Sequence, residues 1–149
     1  MITTFSSTAF VIAGAVLIFS CSRITESPDG CVVSFITAAQ EHNMSKAWNL
    51  LSTEAQNYFN GLGEKQRRSG KGALESEIKR IKKFKDVKKE YIIEKDALKP
   101  ETVKIILTGG QEFKIETVNR DGTYLLKDGN SVRNLLTGIT AELGKENGY

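Results

Sequence analysis

The stretch that most constrains this chain is Ala9 to Cys21, AFVIAGAVLIFSC. About eleven apolar residues run unbroken through Phe19, a Ser-Cys pair ends them, and charge follows at Arg23, Glu26 and Asp29. A run of that length matches the apolar core of a secretory signal better than a full membrane span, which takes roughly 20 residues. It predicts a leader over residues 1–20 and an exported chain beyond it. The alternative is an uncleaved anchor, because Ile2 to Ser22 carries no charge and is just long enough to span. A buried core segment fits least, since nothing in the Ser/Thr-rich flank reads as a capped, packed helix.

The end of that run, Ile18-Phe19-Ser20-Cys21, resembles a bacterial lipobox: an aliphatic residue, a variable one and a small one before a cysteine. In proteins with that motif the cysteine is acylated and cleavage makes it the first mature residue. The resemblance implies lipid attachment (palmitate or a related acyl chain) at Cys21 and a membrane-anchored place in the cell envelope. Ser22, which is not Asp, implies the outer membrane where the organism has one.

Beyond residue 20 the chain is long enough for one domain with a sizeable core. We read residues 21–26 as a tether, 27–143 as a single domain and 144–149 as a polar tail. The two cysteines form no disulfide framework if Cys21 is acylated; without acylation a Cys21–Cys31 bridge is open in an oxidising compartment. Cys31 reads most simply as a small apolar residue on a helix. The net charge of +3 hides an asymmetry: Lys65 to Lys89 holds eleven Lys/Arg against three acids, so the rest of the chain is acidic. Arg67, Arg68, Lys71, Lys79, Lys82 and Lys83 are the candidates for contact with an anionic surface. A solvated helix face plus a basic loop is the plainer reading, and export argues against nucleic acid as the partner.

Ser27-Pro28-Asp29 is a helix start, with a capping hydroxyl, a proline suited to the first position and an acid suited to the dipole. Val32, Phe35, Ile36 and Ala39 then form one apolar stripe, and the helix should end near His42-Asn43. Met44 to Leu51 predicts a short helix with Ala47, Trp48 and Leu51 on one side. Thr53 with Gln56 resembles a capping box opening a third helix that carries Ala55, Tyr58, Phe59 and Leu62. The glycine-rich, basic stretch Gly61 to Gly72 predicts a mobile surface loop, without a phosphate-loop pattern. Ala73 to Phe84 predicts a fourth helix with Leu74, Ile78, Ile81 and Phe84 inward and a Glu75–Lys79 pair outward.

From Lys88 the period changes to two, and four antiparallel strands follow, around Tyr91, Val103 to Leu107, Phe113 to Thr117 and Tyr124 to Leu126. Face matching predicts a three-residue glycine-bulge loop at Gly109–Gln111, pairing Leu107 with Phe113, Ile105 with Ile115 and Val103 with Thr117. Asp121-Gly122 predicts a two-residue turn with Asn119 opposite Tyr124, Val118 opposite Leu125 and Thr117 opposite Leu126. Ser131 to Leu143 reads as a closing helix rather than a final strand, fraying from Gly144. The fold class is α+β, with N-terminal helices packed on a curved antiparallel sheet.

The pattern Pro28, Val33, Phe35, Ala38, Ala39, Asn43, Lys46-Ala47-Trp48, Leu50-Leu51-Ser52 resembles the opening of small bacterial lipoproteins with a nuclear-transport-factor-2-like (cystatin-like) domain. The Arg120-Asp121-Gly122 turn and Tyr124 resemble that family's late hairpin. The resemblance implies a cone-shaped roll, often enclosing a pocket. Phe35, Trp48, Tyr91, Phe113 and Tyr124 are the candidates to line such a pocket, although core packing explains each of them too. No motif names a reaction. His42 is the only histidine and falls at a helix end, so neither a multi-histidine metal site nor a catalytic residue is expected, and no cofactor. The expected role is a non-catalytic binding or scaffold module of the envelope. Its partners would be the membrane, an envelope protein or a small apolar ligand, and a second copy through the outer sheet face of Ile92, Ile106, Val118 and Leu125. The alternative is a ligand-binding or enzymatic cone of the same fold.

Overall fold

The computed structural model describes residues 25–80, 91–107 and 109–146. Residues 1–20, read above as a leader, Cys21, the first residues read as a tether, Ile81, Lys82, Lys83, Phe84 and the last three residues lie outside that part, as do the side chains of Tyr91 and Ile92. Helices α1 (Pro28–Gln40), α2 (Met44–Asn49), α3 (Thr53–Lys65) and α4 (Gly70–Lys79) precede strands β1 (Tyr91–Lys95), β2 (Thr102–Leu107), β3 (Glu112–Arg120) and β4 (Thr123–Leu126). Helix α5 (Gly129–Glu146) closes the fold. The sheet is an antiparallel meander in the order β1-β2-β3-β4. The architecture is α+β, as the sequence predicts.

Local chemistry starts the helices where expected. Ser27 Oγ accepts from Gly30 N at 3.2 Å, Pro28 takes the first position and Asp29 the first turn of α1. Asn43 Oδ1 accepts from Lys46 N at 3.1 Å and opens α2. The cap of α3 is Ser52 rather than Thr53: its Oγ accepts from Ala55 N at 3.1 Å and donates to Lys127 O at 2.9 Å. Ser52 therefore begins a helix and ties it to the end of β4, a double duty that a one-dimensional capping pattern does not reveal. The same segment covers the edge of β4, where Ser52 N donates to Leu126 O and Leu126 N to Leu50 O, each at 2.9 Å. Tyr124 N donates to Thr25 O at 2.8 Å, so the domain begins inside the stretch read as a tether.

The glycine-rich stretch is not a loop. Helix α3 continues to Lys65 and α4 begins at Gly70. A Cβ on Gly63 would lie 2.6 Å from Arg68 O and 2.8 Å from Ser69 C, and one on Gly70 would strike Asn60 and lie 2.9 Å from Trp48 Cη2. These glycines are present because helices approach closely, and composition alone does not separate that role from loop freedom.

The β3–β4 hairpin has the predicted register, with Asn119 opposite Tyr124, Val118 opposite Leu125 and Thr117 opposite Leu126. Its turn takes Asp121 and Gly122 to φ of 53° and 85°, the left-handed pair that a two-residue hairpin loop requires. The β2–β3 hairpin has a three-residue loop, but in a different place. Leu107 N donates to Gln111 O at 2.9 Å and Gly110 N to Leu107 O at 2.8 Å, and Ile105 faces Phe113 while Val103 faces Ile115. The reason is Gly110, at φ 82°. The last loop residue must be left-handed, and the predicted frame would have put Gln111 there. The shift spans two residues, so every side chain keeps its face.

The core lies between α1 and the sheet and is closed by α3, α4 and α5. Phe35, Ile36, Phe59, Leu74, Ile78, Ile105, Ile115, Leu126, Leu135 and Leu136 are all buried within it. Helix α5 packs the predicted Val132, Leu135, Leu136 and Ile139 inward and sets Gly138 directly on the Phe113 ring. Cys31 is a free thiol in this core, and burial pushes its pKa up to about 12. At pH 8 its native thiolate fraction is therefore about a thousandfold below that of an ordinary cysteine. Alkylation, read on the peptide carrying Cys31, is expected to be slower by at least that factor until denaturant is added. Labelling at an ordinary rate in buffer would mean that α1 is not seated.

Candidate functional site

Four of the five aromatic candidates converge on the core rather than on a described cleft. Phe35 is fully buried, and Trp48, Phe113 and Tyr124 pack partly buried against the same cluster. Tyr91 sits opposite Leu107 on β1, with its side chain outside the described part.

The described clefts lie elsewhere, at the end of the outer sheet face. One, of about 430 Å³, is lined by Glu54, Asp96, Leu98, Lys99, Thr102, Lys114, Glu116, Lys127, Asp128 and Ser131. A second, of about 380 Å³, shares Lys99, Thr102, Glu116 and Lys127. Four elements build them. Antiparallel pairing sets Thr102 beside Glu116. Asp96 shapes the β1–β2 loop by accepting from Leu98 N at 2.9 Å and Lys99 N at 3.3 Å, which leaves Leu98 92% exposed at the rim. Helix α3 supplies Glu54 from its first turn, and the start of α5 supplies Asp128 and Ser131.

Four of the cleft's charges meet in two pairs. Lys127 Nζ lies 3.0 Å from Glu116 Oε2, and Lys114 Nζ 3.8 Å from Asp96 Oδ2. The backbone N–H of Leu98 leads in holding the Asp96 carboxyl below its ordinary value, and the Glu116 hydrogen bond raises the Lys127 ammonium above its own. Burial raises Asp128, but hydrogen bonds from Ser131 and Asn130 outweigh it and hold the carboxyl low. All three shifts lock the ionised form. Proton transfer at neutral pH needs the opposite, carboxyls raised or lysines lowered toward 7. What the arrangement can do is recognise charge.

Asp128 is also the cap of α5, accepting from Asn130 N at 3.1 Å, Ser131 N at 2.9 Å and Ser131 Oγ at 2.5 Å. Asp128→Ala is expected to cost about 1 kcal/mol near neutral pH. Because the folded pKa is depressed, that contribution is complete above the unfolded value of about 3.9 and fades as pH falls through the lower folded value. Denaturant midpoints of the two proteins should separate at neutral pH and converge in strong acid. A constant gap would mean that the carboxylate's charge plays no part.

The outer sheet face is not a continuous apolar patch. Ile106 pairs with Ile92 at one end and Val118 with Leu125 at the other. Between them Lys104 Nζ stands 3.6 Å from Glu94 and 3.4 Å from Glu112. The basic candidates are exposed or half-buried on α4 and the turn before it: Arg67, Arg68, Lys71 and Lys79, with Lys79 Nζ 2.9 Å from Glu75 Oε1. His42 is exposed between α1 and α2. Among the described residues no group of three or more His, Cys, Asp or Glu could hold a metal ion, and no helix is long and apolar enough to cross a membrane.

No cleft residue stands out in the sequence. The outward alternation of Lys114 and Glu116 is legible, but their meeting with Asp96, Asp128 and Glu54 depends on register and on the placement of α3 and α5. Comparisons with family models, curated protein sequences and solved structures found no match.

Proposed function

We propose that the chain is an exported, lipid-anchored module of a bacterial cell envelope, acting as a binding or scaffold domain of the nuclear-transport-factor-2-like type and not as an enzyme. The observation that carries this reading is the apolar run ending in Ile18-Phe19-Ser20-Cys21, with Thr25 already docked on β4 only four residues later. The aromatic interior packed around Phe35 and the charges locked in their ionised forms support binding over catalysis. The charged cleft supports a second reading, in which the bound molecule is a small polar one held outside the core.

Mass spectrometry of the full-length product extracted from membranes tests this, first denatured and then native. A chain beginning at Cys21 with added acyl mass is the expected result. An unacylated chain still beginning at Met1 would replace the lipid anchor with a membrane-spanning one. Extra mass in the native spectrum would favour the small-ligand reading, and a doubled mass a homodimer.

A further inference from the structure

We propose that one face of α4, carrying Arg68, Lys71 and Lys79, is the surface with which the domain lies down on the anionic headgroups of the bilayer that anchors it. The inference rests on the membrane-anchored reading above. Lys71, Glu75 and Lys79 follow one another at intervals of four residues, so they share one side over roughly 12 Å of helix, and Arg68 joins them from the turn before α4. Their placement agrees: Lys79 binds Glu75, Lys71 Nζ reaches across to Ser45 Oγ at 2.8 Å, and Arg68 bonds Ser76 Oγ. Lys79 first, then Lys71 and Arg68, hold the Glu75 carboxyl below its ordinary value, so one acid serves three cations. Lys65 and Arg67 stand exposed beside them, and Lys46 is exposed next to Ser45.

Lys79 is paired too, but the sheet lysines differ in that no two of them share a carboxylate. Lys95, Lys104, Lys114 and Lys127 each lie within 4 Å of a carboxylate, at 3.3, 3.4, 3.8 and 3.0 Å. Lys65 to Arg80 instead holds six cations against two acids. Uncompensated charge is thus concentrated where α4 meets α2, and it calls for an anionic partner. The tether selects a lipid surface. From Cys21 to Thr25 the chain spans at most roughly 14 Å, so the bilayer is always within reach, whereas a soluble polyanion must be captured from solution.

Trp48, the only tryptophan, packs against Gly70 at the start of α4 and is a built-in reporter. The full-length chain would be reconstituted into phosphatidylcholine vesicles, with and without phosphatidylglycerol, each holding the same fraction of headgroup-nitroxide lipid. Quenching of Trp48 is expected to rise with phosphatidylglycerol and to fall back in high salt. Arg68→Gln, Lys71→Gln and Lys79→Gln should each weaken the lying-down equilibrium about fivefold, and the triple variant about a hundredfold. Should the triple variant unfold, Lys79→Gln alone, altering an exposed side chain at the far end of α4, still reports. Quenching indifferent to lipid charge would overturn the proposal, as would a charge response that survives in the triple variant. Polyphosphate binding without any vesicle response would assign the face to a polymer and overturn it equally. A chain that fails to float with neutral vesicles would instead sink the anchored reading itself.

Discussion

Gly63→Ala is expected to destabilise the domain by at least about 2 kcal/mol, even though alanine is the better helix former. In the last turn of α3 the exchange should gain up to about 1 kcal/mol of helix propensity. Against that, the new methyl would meet Arg68 O at 2.6 Å and Ser69 C and O at 2.8 Å. Those atoms are backbone, so relief requires α4 to move as a body, which puts the cost at the top of the usual overpacking range, about 3 kcal/mol. Gly61 is the internal control. It lies two residues earlier in α3, and a Cβ there meets nothing within 4 Å. Gly61→Ala should therefore be neutral or stabilising by up to about 1 kcal/mol. Urea denaturation of the two variants settles the matter: shifts of the same sign would refute the close α3–α4 approach.

Phe35→Ala should be the costliest single truncation, at about 3–5 kcal/mol. Phe35 is fully buried on α1, the helix that touches all four strands, and neighbours from both layers enclose it. Truncation leaves a cavity that α1, packed on all four strands, cannot readily collapse into. Lys95 Nζ, 3.3 Å from Asp29 Oδ1, also ties its first turn to β1. Against a typical domain stability of about 5–15 kcal/mol, the loss takes about a fifth or more. The experiment also bears on function. If Phe35 lined an open ligand cone, the ring would be partly unpacked and its removal should cost well under about 2 kcal/mol, with any bound ligand lost. A large loss with an unchanged native mass would fit the packed interior.

How far the sequence could be read follows the range of the forces involved. Ser27-Pro28-Asp29, Asn43 and the Asp121-Gly122 turn were legible because each acts on backbone groups within three residues. The alternation of β2, β3 and β4 was legible because burying one face of a sheet imposes period two whatever the neighbours are. Where two rules competed, the local reading failed. Face matching allowed either frame of the β2–β3 loop, and the left-handed conformation that Gly110 tolerates selected one. Composition made Gly61 to Gly72 a loop, but Gly63 and Gly70 serve the approach of α3, α4 and α2, which no window of sequence contains.

The candidate site divides in the same way. The apolar run and the excess of basic residues from Lys65 to Lys89 were plain, since both are properties of contiguous chain. The shared side of Arg68, Lys71 and Lys79 was not, because the glycines around Arg68 and Lys71 read as a loop and only the packing of α3 on α4 shows that the helix begins at Gly70. The charged cleft was invisible, because Glu54, Asp96, Lys114 and Asp128 meet only after register and helix placement are set. By itself, then, the sequence determined the fold class, the element types outside the glycine-rich stretch, and the charge asymmetry, which arise from backbone geometry, periodicity and composition. Only the tertiary structure decided that Phe35, Trp48, Phe113 and Tyr124 pack in the core, that Gly63 and Gly70 are packing sites, and that no two sheet lysines share a carboxylate while on α4 one acid, Glu75, serves three cations. Each of those depends on distances between residues far apart in the chain, and such distances exist only once the layers have packed.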